Sequence, residues 1–195
     1  MIAIGSGASV TASTPGNDPS LVPLLLTVAD LPSGWQEMAV PATLAETSTA
    51  GAPDDPCNAL AHVFDTAYSG PHAATGFSSG GLNLITDLVF RLPDRTAASG
   101  LVTAYSADLT ACPTVTGPDG LTTTYTPIAF AALGDATAAY KGTWQFANFI
   151  VLFVTFSVDD TVITLEETGA GEDTTLLQQL AAVSADRATP VQWSK

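Results

Sequence analysis

The two cysteines of this 195-residue chain constrain its fold more than any other feature. Cys57 lies near the start of one predicted helix, on its apolar face. Cys112 lies at the end of another, where it closes the inner face before Pro113 stops the helix. If the two helices pack antiparallel, these ends meet and a disulfide can form, which is typical of an oxidising, extracytoplasmic compartment. The alternative is two free buried thiols that behave as small apolar side chains.

The charge of the chain restricts its partners. Five basic and nineteen acidic residues give a formal net charge of -14, and the basic residues are scattered rather than clustered. Such a field repels phosphate backbones and anionic lipid headgroups. We therefore exclude nucleic acid as a partner, while cationic and neutral partners remain open.

The length and the hydrophobic content of 46% fit one domain with a substantial core. We expect a flexible lead-in over residues 1–19, which are rich in small residues and carry no secretory signal pattern, a single domain over 20–190 and a tail over 191–195. The longest apolar run, Phe146 to Val158, is shorter than the ~20 residues of a membrane helix and is rich in β-branched and aromatic side chains. It predicts a buried strand and not a transmembrane segment.

The elements predict an α+β fold: a single domain with a largely antiparallel, twisted sheet of about five or six strands, packed with about four helices. Helices are predicted from Asp18-Pro19, from Asp55-Pro56, from Asp94 to Cys112, and from Glu172-Asp173 to Arg187. Strands are predicted at Trp35 to Val40, Gly76 to Leu92, Thr122 to Ala131 and Ala136 to Phe146, with a central hairpin over Phe149 to Thr168 that turns at Asp159-Asp160.

The first arm of this hairpin is apolar on both alternating faces. An antiparallel strand with one solvated face alternates apolar and polar residues, and this one does not. Either helices cover both faces of the sheet, or one face lines an apolar groove that binds something.

One sequence motif suggests a hydrolase and fails on its context. Gly76 to Gly80 matches the G-x-S-x-G pattern around Ser78. A nucleophile elbow follows a strand, precedes a helix and has its histidine later in the chain. His62 and His72 both precede Ser78, and a strand follows it, so a serine hydrolase is disfavoured.

No catalytic, metal or cofactor residues are predicted. Glu166 and Glu167 are strand neighbours that point to opposite faces, and the aspartates of the hairpin turn form no dyad, so turn chemistry and solvation at strand ends account for these carboxylates. Histidines and cysteines lack metal-ligand spacing. The candidate ligand contacts are three aromatic residues, whose alternative role is in the core or at its rim: Trp35, Tyr140 and Trp144.

The segment from Leu24 to Trp35 reads LLLTVADLPSGW and resembles the L-L-T-x-x-D-L-P-x-G opening of actinobacterial sensor-domain lipoproteins. These proteins are similar to the extracellular sensor domain of the PknH-type receptor kinase. The resemblance continues through the cysteine-bearing helices to the closing hairpin and helix, Val162 to Arg187. It implies an α+β domain outside the cytoplasmic membrane, with a cleft that binds a ligand and performs no chemistry. The kinase domain is expected to carry two disulfides, whereas this chain can form one.

Together these observations predict a non-catalytic, extracytoplasmic, ligand-binding or sensor-like protein, secreted or lipid-anchored in its native form. Its cleft would take a small apolar or amphiphilic molecule. The first alternative is a structural or protein-interaction module that uses the apolar sheet face as an interface. A small secreted serine hydrolase is the second and less favoured alternative.

Overall fold

A computed structural model describes residues 16–40, 57, 64–81, 83–116, 122–144, 149–169 and 171–189. The strands are β1 (Gln36–Met38), β2 (His72–Gly80), β3 (Asn83–Arg91), β4 (Thr114–Thr116), β5 (Thr122–Pro127), β6 (Ala136–Trp144), β7 (Ile150–Val158) and β8 (Thr161–Thr168). The α-helices are α1 (Asp65–Tyr68), α2 (Arg95–Ala111) and α3 (Thr175–Ala188). All eight strands form one sheet in the order β1-β2-β3-β8-β7-β6-β5-β4, and every neighbouring pair is antiparallel.

The predicted proportions of sheet and helix are wrong. The described residues form eight strands and three short helices, against an expected five or six strands and four helices. The single strand expected over Gly76 to Leu92 is a hairpin, because Gly80 and Gly81 adopt φ values of 101° and 62° that reverse the chain between β2 and β3. Strand β4 adds a further short strand after α2.

The helix expected after Asp18-Pro19 is also absent. Two single-turn 3-10 helices, Val22–Leu24 and Val28–Asp30, take its place. Leu25 between them has extended backbone, with φ -65° and ψ 149°. The amide of Leu26 donates to the carboxylate of Asp87 at 2.7 Å rather than to a helical carbonyl. The regular spacing of the leucines therefore reflects burial, not an α-helix.

Cys57 and Cys112 form the predicted disulfide, with Cα atoms 5.5 Å apart. Cys112 is the C-terminal cap of α2, so the bond ties the chain ahead of α1 to the end of α2. Of the second predicted helix, which begins at Asp55-Pro56, only Cys57 and residues from Phe64 onward lie within the described residues.

The hairpin of β7 and β8 lies at the centre of the sheet, as predicted. Even-numbered residues of β7, such as Leu152, Val154 and Phe156, pack with α3 and the segment 21–31 on what we call the α3 face. Odd-numbered residues, such as Val151 and Phe153, pack with α1 and α2 on the α2 face. Helices therefore lie on both faces, which is the first of the two alternatives that the apolar strand predicts.

The N-terminal segment joins the sheet through hydrogen bonds to β2. The side-chain amide of Asn17 donates to the carbonyl of Ala74 at 3.0 Å and accepts from its amide at 2.9 Å, and the Asp18 amide donates to the His72 carbonyl at 2.8 Å. Residues 1–15 and 190–195 lie outside the described residues. The division into 1–19, 20–190 and 191–195 stays a prediction.

The disulfide should supply a large part of the stability. It closes a loop across a sequence separation of 55 residues, for which the chain-entropy treatment gives about 4 kcal/mol. We expect the double variant Cys57→Ala, Cys112→Ala to lose about that much free energy of unfolding in urea. Dithiothreitol should lower the stability of the unmodified protein by a similar amount and leave the double variant unchanged. Equal stability of the two proteins under oxidising conditions would contradict the prediction.

Candidate functional site

Aromatic side chains on the α2 face contact one another in one cluster. Phe153 lies at its centre, with ring centroids 5.7 Å from Tyr125, 5.8 Å from Tyr140 and 6.1 Å from Tyr105. Phe64 extends the cluster, with its ring centroid 4.9 Å from that of Tyr105. We call the following residues the aromatic cluster: Phe64, Tyr68, Phe90, Tyr105, Tyr125, Tyr140 and Phe153.

Strand alternation and register explain why these rings meet. Phe153 on β7 is directly opposite Tyr140 on β6, so both side chains point to the α2 face. Tyr125 on β5 is opposite Gly142, which has no side chain in the way. Ring carbons of Tyr125 lie 3.4 Å from the place that a Cβ on Gly142 would occupy. The Tyr125 ring therefore lies over β6 and reaches Phe153.

The cluster grades from a buried floor to a partly exposed rim. Phe90, Tyr140 and Phe153 are buried, whereas the side chains of Phe64, Tyr68, Tyr105 and Tyr125 are half-buried. Beyond them, at the end of β6 and on the same face, Trp144 is 41% exposed and its ring centroid lies 5.3 Å from that of Phe149. An exposed large aromatic side chain beside a partly exposed aromatic rim can contact a ligand, because ligand sites are lined largely by apolar and aromatic side chains.

A carboxylate lies within this aromatic surface. Glu166 on β8 is directly opposite Phe153, points to the α2 face and is half-buried. Burial raises the pKa of its carboxyl group. Burial of the phenols, and secondarily the charge of Glu166, raise the pKa of Tyr68 to about 12 and that of Tyr125 above its usual value. The carboxylate of Glu166 therefore lies close enough to the phenols of Tyr68 and Tyr125 to affect their pKa values.

The structure separates the three aromatic residues proposed from the sequence. Tyr140 and Trp144 share the α2 face of β6, whereas Trp35 packs against the core of the α3 face. The hydroxyl of Tyr140 lies 2.9 Å from Oγ of Ser106 and donates to the Ser106 carbonyl at 3.0 Å, which makes it a core contact with α2. A ligand contact stays a prediction for all three, and Trp144 has the exposure that such a contact needs.

Sequence reasoning missed Glu166 as a site residue. Glu166 and Glu167 do point to opposite faces, but neither is a simply solvated strand end. Glu167 is 4% exposed on the α3 face, where it accepts a hydrogen bond from the Leu177 amide at the start of α3. Burial, together with the charge of Asp173, raises the pKa of Glu167 to about 7. The available signal was that the two residues of β7 that pair with Glu166 and Glu167 are both apolar, Phe153 and Leu152.

The hydrolase motif has no catalytic geometry with the described histidine. Oγ of Ser78 accepts a hydrogen bond from the Gly80 amide at 3.1 Å. His72 lies six residues earlier on the same strand, about 20 Å away at ~3.3 Å per residue. His62 lies outside the described residues.

A concavity lies beside α2, apart from the aromatic cluster, with a volume of about 650 Å³. Small apolar and hydroxyl side chains of α2 and of the start of β6 line it, and none of them is charged. It therefore offers little to orient a ligand, and the aromatic surface around Glu166 is the stronger candidate site.

The strongest polar cluster of the α3 face is an anchor for the N-terminal segment. The guanidinium of Arg187, at the end of α3, donates to the Leu25 carbonyl at 2.7 Å and to both carboxylate oxygens of Asp30 at 2.7 and 2.8 Å. Asp87 beneath it is fully buried and accepts from the Leu26 amide. Burial raises the pKa of Asp87 to about 7, although that hydrogen bond and the charge of Arg187 oppose the shift. These contacts hold residues 25–30 against the sheet.

The fold as a whole is similar to that of a known receptor domain. The solved structure of the extracellular domain of PknH from Mycobacterium tuberculosis superimposes with a TM-score of 0.58 at 16% sequence identity, covering 85% of this chain and 92% of that chain. This similarity confirms, at the level of the fold, the resemblance predicted from the segment Leu24 to Trp35. No protein-family model and no curated protein matches the chain. Within the described residues, no helix has the length and apolar character that crossing a membrane requires.

Neutralising Asp87 should flatten the pH dependence of stability. Because its native pKa of about 7 lies above the unfolded value of ~3.9, its contribution is fully present below about pH 4 and is lost as the pH rises through 7. We expect Asp87→Asn to gain up to about 4 kcal/mol relative to the unmodified protein between pH 4 and 8, since its amide oxygen still accepts from Leu26. Urea unfolding at a series of pH values measures this.

A matched control removes an exposed carboxylate instead. The control variant is Glu37→Gln on the edge strand β1. Parallel stability curves for Asp87→Asn and the unmodified protein would contradict the assignment of a raised pKa to Asp87.

Proposed function

We propose that this chain is a non-catalytic, extracytoplasmic, sensor-like protein that binds a small amphiphilic molecule on the aromatic surface of the α2 face. The observation that carries the proposal is the partly exposed aromatic cluster, with the exposed Trp144 beyond it on the same face. Aromatic side chains supply large apolar contact area at a low cost in side-chain entropy. A row of half-buried rings is therefore suited to an apolar tail.

The polar groups on the same surface favour an amphiphile over a purely apolar ligand. The ring edges of Tyr68, Tyr105 and Tyr125 carry hydroxyl groups, and Glu166 adds a carboxylate among them. A few polar groups in an otherwise apolar site fix the orientation of a ligand. We place the apolar part against the rings at the Trp144 end of this surface and the polar part near Glu166.

Two observations support the location. Disulfides persist in oxidising compartments, and Cys57 and Cys112 are joined. The fold is shared with a domain described as extracellular. We propose that the native protein is secreted or held at the cell envelope by a lipid anchor.

The non-catalytic assignment rests on the side chains of the site. Its polar groups are the phenols of the tyrosines and the carboxylate of Glu166. His72 contacts Tyr68 and Phe90 at one end of the cluster, but it is opposite Phe90 on β3, whereas Glu166 is opposite Thr86, four positions away along that strand. Ser78 is bonded to the Gly80 amide instead. The binding of an amphiphile needs only apolar and polar contacts, and the aromatic cluster and Glu166 offer both.

The interaction-module alternative uses the same surface differently. Helices α2 and α3 already cover the two faces of the central hairpin, so a partner protein would have to bind the aromatic rim around Trp144 rather than the sheet itself. This alternative predicts a dimer or a stable complex and no bound small molecule.

The test is the mass of the protein from a native secreting host, measured under native and denaturing conditions. We expect an extra mass that is lost on denaturation, which identifies a bound small molecule. A bare dimer would favour the interaction module. A bare monomer that also binds no added amphiphile would contradict the binding role.

Trp144→Ala should reduce the fraction of protein that retains this ligand by about tenfold, since the lost indole contact is worth about 1–2 kcal/mol. The control is Val22→Ala, because Val22 is 42% exposed, like Trp144 at 41%, but lies on the N-terminal segment. Native mass spectrometry of the three proteins makes the comparison. Equal retention by Trp144→Ala and the unmodified protein would place the ligand elsewhere.

A further inference from the structure

We propose that the aromatic surface selects a cation: its ligand is an amphiphile with an ammonium head group, which is held between the carboxylate of Glu166 and the neighbouring aromatic rings. The inference rests on the proposed function, because it names the chemical class of the ligand at the same site.

The position of Glu166 is the first step. It is directly opposite Phe153 on β7 and Thr86 on β3, and all three side chains point to the α2 face. Directly opposed side chains in an antiparallel pair have Cβ atoms about 4.5–5.5 Å apart. Since Phe153 is the centre of the aromatic cluster, the carboxylate stands beside the rings of Tyr105 and Tyr125. It is half-buried, so a ligand can still reach it.

The second step is the absence of a counter-ion for Glu166 among the described residues. The chain has five basic residues, and the fifth, Lys195, lies outside the described ranges. The other four each pair with a different carboxylate: Arg91 with Asp160, Arg95 with Asp135, Lys141 with Glu172 and Arg187 with Asp30. A partly buried carboxylate without a cationic partner is costly to the free protein. An incoming cation would remove that cost.

The rings supply the rest of the recognition. A cation is attracted to the faces of tryptophan, tyrosine and phenylalanine, and this attraction is strongest where water is excluded. Tyr105 and Tyr125 pack against Phe153, which is directly opposite the carboxylate, and their partly exposed rings offer such faces. Quaternary ammonium groups are recognised by aromatic side chains in this way, and lysine and simple amines are also accepted.

The charge of the whole chain acts in the same direction. A net charge of -14 raises the local concentration of cations and repels anionic amphiphiles such as fatty acids. The exposed Trp144 and the half-buried Phe149 beside it, at the end of the same face, are placed to take the apolar tail. Head group and tail therefore have separate contacts on one surface.

The experiment compares three ligands of equal chain length on the full chain by isothermal titration calorimetry, below their aggregation concentrations: octyltrimethylammonium, 1-octanol and octanoate. We expect octyltrimethylammonium to bind at least tenfold more tightly than 1-octanol, and octanoate to bind most weakly. Glu166→Gln should reduce the affinity for the cation to that for 1-octanol.

Two further variants make the result specific. Glu37→Gln removes the same charge from an exposed position on β1, opposite Phe77 and so on the α3 face, and should keep the preference for the cation. Tyr125→Leu keeps apolar volume but removes a ring face, and should lower the preference for the cation several-fold. It also tests the proposal if Glu166→Gln does not fold.

The outcomes separate this inference from the proposed function. Equal affinities for octyltrimethylammonium and 1-octanol, or a preference that survives in both Glu166→Gln and Tyr125→Leu, would overturn cation selection while the binding of amphiphiles stands. Absence of binding by all three ligands would overturn both. A cation preference that Glu166→Gln abolishes and Glu37→Gln keeps establishes the assignment.

Discussion

The fold depends on the burial of β7 on both of its faces. Eight of its nine residues are buried, and they alternate between the core under α3 and the core under α2. Neither face can be left to water, because each fully buried apolar side chain contributes about 1.5–3 kcal/mol. The chain must therefore supply a covering layer on each side of one sheet. Phe153 is one of these buried residues and is also the floor of the aromatic surface. The candidate site is therefore built on a strand that is buried along almost its whole length.

Elements specified by nearby residues could be predicted from the sequence. The central hairpin turns at Asp159, whose φ of 54° suits a short polar side chain, and α2 begins where the Asp94 carboxylate accepts from the Ala97 amide at 2.8 Å. The sheet was underestimated because the Gly80-Gly81 turn lies inside an otherwise continuous strand pattern. The prediction of the first helix is wrong because of a residue that is distant in the sequence. The carboxylate of Asp87, 61 residues away, accepts a hydrogen bond from the Leu26 amide. Propensity along the chain carries no information about that bond.

The candidate site could be predicted only in part for the same reason. Tyr140 and Trp144 were identified as aromatic residues of one strand, and alternation places them on one face. Glu166 is part of the candidate site because it is opposite Phe153 and because α2 and β5 contribute rings that pack against Phe153. Both relations depend on the order of the strands in the sheet. Trp35 is not part of this surface, because it directly precedes β1, which pairs with β2 on the other side of the central hairpin from β6. The sequence shows which aromatic residues the chain has, but only the order of the strands shows which of them share a surface.

The short strands at both ends of the sheet determine how this protein can meet other molecules. β1 and β4 are three residues long, and the part of β2 that β1 does not reach has its backbone groups taken by Asn17 and Asp18. The described edges thus offer little free main chain to an extended peptide or to a second copy of the sheet. A central hairpin this apolar is thus flanked by described edges that disfavour strand addition, the route by which exposed β-structure extends into fibrils.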